Sequence, residues 1–197
     1  MKNTIKNIKK GILMVALLAT VIGFAKDSNS LINKGAKKTA IVLKNVKAGN
    51  LLTIKDNHGI ILYKEEIKTN GLYTKGFDLT ELPDGAYVFE LEKDLEINTI
   101  PFTVALSKVT FDKTDEATYF KPYVKQEKDL VYITKLNPEL KETTINVYAI
   151  NDNESTLRFS EKIENTQSIE KIFKLTKGNF KIEINSGNKE YTTFINN

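Results

Sequence analysis

Residues 82–94 read LPDGAYVFELEKD. Pro83 pre-sets φ for the first corner of a turn, Asp84 offers a carboxylate to the local backbone, and Gly85 accepts a positive φ without steric cost. From there the chain alternates: Tyr87, Phe89 and Leu91 fall on one side, Glu90 and Glu92 on the other. The pattern predicts a strand with one face in a core and one in solvent. Ala86 and Val88 soften the alternation and predict partial cover at the strand's start.

The same grammar extends in both directions. Upstream, TAIVLKNV (39–46) and NLLTIKD (50–56) mix β-branched residues with lysines, and KDNHGI (55–60) supplies turn residues before GIILYKEEI (59–67). Asn70-Gly71 is a strong turn signal ahead of LYTKGFDL (72–79). In LEINTIPFTV (95–104), Pro101 has no N–H for a ladder, which places it at a sheet edge or a bulge. Downstream the layout returns. TTINVYAINDNESTLRFSEKI (143–163) parallels NLLTIKDNHGIILYKEEI (50–67), and the run 172–195 parallels 76–104, with Gly178 preceding Phe180, Ile182 and Ile184. Two divergent copies of one β unit are expected. VTFDK (109–113), ATYFKPYV (117–124) and DLVYITKL (129–136) read as the opening strands of the second copy, and SIEKIFKL (168–175) as a strand because the repeat demands one there.

Short strands at regular spacing, with few helix-length amphipathic patterns, give an all-β reading: two tandem antiparallel immunoglobulin-like β-sandwich domains, 39–105 and 106–197. One larger sandwich or barrel made from both halves is the alternative.

The N-terminal stretch belongs to targeting. Met1–Lys10 carries four lysines and no acid, Gly11–Phe24 is almost wholly apolar, and Gly23-Phe24-Ala25 puts small residues where a signal peptidase cleaves. A signal peptide is expected at 1–25, with a flexible lead-in at 26–38. The apolar run is shorter than the roughly 20 residues that cross a bilayer, so no stable membrane span is expected after cleavage. Of 29 basic residues four leave with the signal, and the remaining 25 face 25 acidic ones. A formally neutral chain lacks the clustered positive charge that nucleic acid requires. No cysteine is present, so no disulfide supports the fold and no lipid can be attached through a thiol.

LTIKDNHGIILYKEEI followed by FDLTELPDGAYVFELE, with Leu79, Leu82, Gly85 and Tyr87, resembles the small immunoglobulin-like modules that serve as C-terminal sorting domains of proteins exported by the type nine secretion pathway. The resemblance covers about residues 52–104 and echoes weakly over 145–196. It implies the fold and an exported setting. The stronger copy is interior, so it does not imply the sorting role.

Catalytic signals are few. His58, the single histidine, sits in the DNHGI turn; Ser107 and Ser160 lie outside any G-x-S-x-G elbow. Glu65-Glu66 and Glu90/Glu92 read as a solvated strand face. NDNES (151–155) and DKTDE (112–116) cluster oxygen ligands but miss the twelve-residue calcium loop, and turn chemistry explains them. No metal or cofactor is expected. A binding surface is the better candidate: alternation through ATYFKPYVKQ puts Tyr119, Lys121, Tyr123 and Lys125 on one face, opposite Phe120, Pro122 and Val124. The expected function is an exported, non-enzymatic interaction module for an unknown protein partner, with a glycan-binding accessory protein as the alternative and an enzyme third.

Overall fold

The computed structural model describes residues 14–16, 30–34, 39–152 and 154–197. Apart from Met14–Ala16, the expected signal peptide lies outside the described residues, as do 26–29 and 35–38 of the lead-in. The chain is all-β with antiparallel pairing throughout and no α-helix among the described residues.

A three-residue strand β1 (Met14–Ala16) comes first. β2 (Ser30–Lys34), β3 (Thr39–Val46), β4 (Leu51–Asp56), β5 (Ile61–Glu66), β6 (Gly71–Phe77), β7 (Gly85–Glu92), β8 (Glu96–Ala105), β9 (Lys108–Phe111) and β10 (Ala117–Phe120) belong to one compact unit ending at Lys121. β11 (Tyr123–Glu127), β12 (Leu130–Leu136), β13 (Thr143–Asn151), β14 (Glu154–Ile163), β15 (Ser168–Lys174), β16 (Asn179–Ser186) and β17 (Lys189–Asn196) form the other, which β1 joins by pairing with β15.

Seven strands of each unit share one hydrogen-bonded order: β2-β3-β6 and β5-β4-β7-β8 in the first, β11-β12-β15 and β14-β13-β16-β17 in the second, with β9 and β10 added outside β8 and β1 outside β15. Adding nine to each strand number converts one pattern into the other. In each unit both sheets feed one apolar cluster. The first gathers Ile41, Leu43, Leu52, Ile54, Phe89, Leu91, Phe102 and Val104, the second Val131, Ile133, Ile145, Val147, Phe173, Ile182 and Ile184. These are the inward phase of the strands, and burying each large side chain contributes roughly 1.5–3 kcal/mol.

Two boundaries differ from the sequence reading. β9 and β10, read as opening the second unit, pair with β8 instead: Phe102 faces Phe111 and Ile97 faces Tyr119 in the ladder. Phe111 packs 5.4 Å from the Phe102 ring, and that burial draws the segment back onto the first core. Within the expected lead-in, β2 pairs with β3, placing Leu31 opposite Val42 and satisfying main-chain groups that β3 would otherwise leave bare.

The opening stretch builds as read, with one change. Tyr87, Phe89 and Leu91 are buried. The Tyr87 hydroxyl donates to Pro83 O at 2.7 Å, tying the start of β7 to its own turn. Gly85 does not use the left-handed region, whereas its counterpart Gly178 does, with φ at +145°. Pro101 sits mid-strand, where the outer partner of β8 switches from β10, which pairs 96–99, to β9, which pairs 102–105. Its missing N–H falls in that break.

Candidate functional site

The four residues expected on one face divide between the units. Tyr119 lies half-buried on β10, opposite Ile97, and Lys121 Nζ holds Glu92 at 3.1 Å while its N–H donates to Leu95 O at 2.8 Å. Tyr123 and Lys125 lie exposed on β11, where Lys125 Nζ contacts Glu127 at 2.6 Å and that carboxylate raises its pKa. The strand breaks at residues 121 and 122, so alternation counted across Pro122 does not describe a continuous ladder.

A different row stands out on the outward phase of the second unit's β14-β13-β16-β17 sheet. Leu157 is opposite Tyr148, Tyr148 opposite Lys181, and Lys181 opposite Phe194. At the usual strand spacing the row spans about 14 Å. Phe194 is 65% exposed and Leu157 51%. Lys181 Nζ lies 4.7 Å from the Tyr148 ring centroid and 2.7 Å from Glu183 Oε1. Glu183 raises the Lys181 pKa, Lys181 lowers that of Glu183, and burial followed by Glu183 raises that of Tyr148. The ammonium is thus held flat across the row by a ring below and a carboxylate beside it, leaving the two apolar ends open.

Sequence reasoning missed this row, although the signal was present. In KEYTTFIN (189–196), Ile195 is buried and Phe194 falls on the solvent phase. In TTINVYAIN (143–151), Tyr148 falls out of phase with Ile145, Val147 and Ala149. Large apolar residues in the polar phase have to be explained by what they meet outside the core. The matching row of the first unit, Ile61, Lys55, Val88 and Pro101, is tied down by a Lys55–Glu90 ion pair.

A polar cluster joins β5 to β6. Glu65 accepts from both Tyr63 and Lys75, which lower its pKa, Lys75 more strongly, and Lys75 Nζ sits 5.1 Å from the Tyr63 ring centroid. Tyr73 Oη is buried alongside without reaching hydrogen-bond geometry; burial first, then Glu65, pushes its pKa up to about 12. Glu65 and Glu90 are therefore half-buried and ion-paired, while Glu66 and Glu92 keep the solvated position expected of them.

The turns behave as turns. Asp56 Oδ1 accepts from His58 N at 2.9 Å and Ile60 N at 2.8 Å, and Asp112 Oδ1 accepts from Thr114 N at 2.9 Å. Residue 153 of NDNES lies outside the described residues. Among the described residues no group of three His, Cys, Asp or Glu side chains is placed to hold a metal ion, and no helix is long and apolar enough to cross a membrane. No protein-family model matches the chain, and no curated protein matches it.

Proposed function

We propose that the chain is an exported, non-enzymatic interaction module built from two tandem immunoglobulin-like sandwiches of common ancestry, with a protein partner docking on the outward face of β14-β13-β16-β17. The sandwich reading is supported by the seven-strand order, in which the fifth strand returns beside the second and the sixth beside the third, and by one apolar cluster shared between two sheets. The Tyr87 hydroxyl bonded back to Pro83 O at the start of the sixth strand adds to it, being the tyrosine corner of such folds. Export rests on the basic, apolar and small-residue segments of 1–25.

One observation carries the binding site: the row from Leu157 to Phe194 is open at both ends and polar around its rim, with Ser160 on Asn146 at 2.7 Å and Glu183 on Lys181. A photo-crosslinking residue at position 194 tests it in intact cells. A discrete crosslinked protein that disappears with Tyr148→Ala or Leu157→Asp is expected, and no adduct at 194 rejects the site. A glycan array run with the same variants decides the sugar alternative, which specific retention lost in Tyr148→Ala would favour. The same array decides the smaller surface of Tyr123 and Lys125 on β11. Cell fractionation checks the setting, and an unprocessed cytoplasmic chain would overturn export.

A further inference from the structure

The two units treat one edge differently. In the first, the outer side of β8 is taken by β9 and β10. In the second, the corresponding strand β17 ends its sheet, and no described strand pairs with its outer side. Asn197 and Gly178 exchange both main-chain bonds, at 3.0 and 2.9 Å. By the alternation of an antiparallel ladder, residues 195, 193 and 191 then turn their main-chain groups toward β16, and Asn196, Phe194, Thr192 and Glu190 turn theirs outward. There Asn196 O accepts from Gln126 Nε2 of β11 at 3.2 Å, and the 190–194 stretch is the part offered to a further strand.

Other edges of this unit carry the usual protection. β14 is bulged opposite Val147/Tyr148 and bears Glu154, Arg158, Glu161 and Lys162, and β11 bears Lys125 and Glu127. β17 has charges only at Lys189 and Glu190, its first two residues, and then runs YTTFIN without Lys or Pro. An antiparallel second copy therefore places neither charge opposite itself, whereas a parallel copy would stack Glu190 on Glu190.

We propose that β17 is a self-association edge: two copies of this chain pair β17 to β17, antiparallel, extending the four-stranded sheets into one of eight strands. The first unit supplies the precedent, because its equivalent edge is closed by antiparallel strands. The pairing uses main-chain groups and does not depend on the partner-binding role of the row. It would set two copies of Phe194 side by side.

Sedimentation of the mature chain between about 1 and 100 µM tests this. A dimer is expected, weakened at least about tenfold by Thr192→Pro, which removes an outward N–H, and by Phe194→Lys, an edge charge. Far-ultraviolet dichroism of both variants should match the parent. Because the chain has no cysteine, oxidative cross-linking of Thr193→Cys reports the contact directly, with Leu157→Cys on β14 as control. A monomer throughout the range overturns the proposal. So does a dimer that survives both edge variants, or one that cross-links through position 157. A monomer whose edge binds the strand of another protein, with binding lost in Thr192→Pro, overturns it too.

Discussion

Set side by side, the units agree in how their seven shared strands neighbour one another and differ in what closes their sheet edges and in how they house polar atoms. Between β5 and β6, Tyr63 meets Phe77 edge-on at 5.1 Å and 83°; between β14 and β15, Phe159 meets Phe173 edge-on at 5.1 Å and 68°. Glu65 pairs with Lys75 in one, and Glu161 with Lys171 at 2.8 Å in the other. Around this shared frame three positions diverge. Tyr63 gives Glu65 a hydroxyl, whereas Phe159 has none and Glu161 Oε2 is buried without a protein partner. Tyr87 ties its corner, and Phe180 has no hydroxyl to do so. Leu43, opposite Tyr73 and 2% exposed, corresponds to Lys135, opposite Ile169 and 7% exposed. The inward apolar phase is common to both units, while polar satisfaction varies independently within it.

Exchanging those residues breaks the comparison in graded steps. Leu43→Lys should be the most damaging, costing the first unit roughly 3 kcal/mol or more, since it buries a charge where no pairing is prepared. Urea unfolding followed in each unit would show it. The reverse change, Lys135→Leu, should stabilise the second unit by about 1–2 kcal/mol. Lys135 donates to Leu136 O at 3.2 Å, and burial, then Lys141, lowers its pKa from the ordinary 10.5.

That depression fixes a pH signature. Between the lowered native pKa and 10.5 the unfolded chain binds more protons, so stability rises with pH through that window. Lys135→Leu should abolish the rise; a slope unchanged by the substitution would assign it elsewhere.

Tyr87→Phe should cost the first unit about 1–1.5 kcal/mol by releasing Pro83 O, with little effect on binding. Smallest is the exchange at the ion pairs. Phe159→Tyr should gain about 1 kcal/mol by satisfying Glu161, and Tyr63→Phe should lose a similar amount. If Phe159→Tyr destabilises, the second unit has no room for the hydroxyl and the correspondence is looser than its geometry.

Much of this architecture could be read from residues alone. The phase of Tyr87, Phe89 and Leu91 located a strand and its buried face, and the likeness of 50–67 to 143–163 anticipated the matching pairing orders of β4-β5 and β13-β14. The boundary was not legible, because VTF and ATYF alternate as any strand does and nothing local states which sheet they join. Nor was the binding row. Tyr119 and Tyr123 stand four residues apart in the chain yet lie on different units, whereas Leu157 and Phe194, distant in sequence, share one row.

For most strands from β3 onward the sequence by itself determined the turns and the inward side, because side-chain alternation and turn chemistry are local properties, but it read β2 as a flexible lead-in and ran β10 and β11 together. Only the tertiary structure decided which strand neighbours which, where β9 and β10 belong, and that Lys135 stands at a leucine's position. Those outcomes depend on hydrogen-bond partners and burial supplied by residues far along the chain.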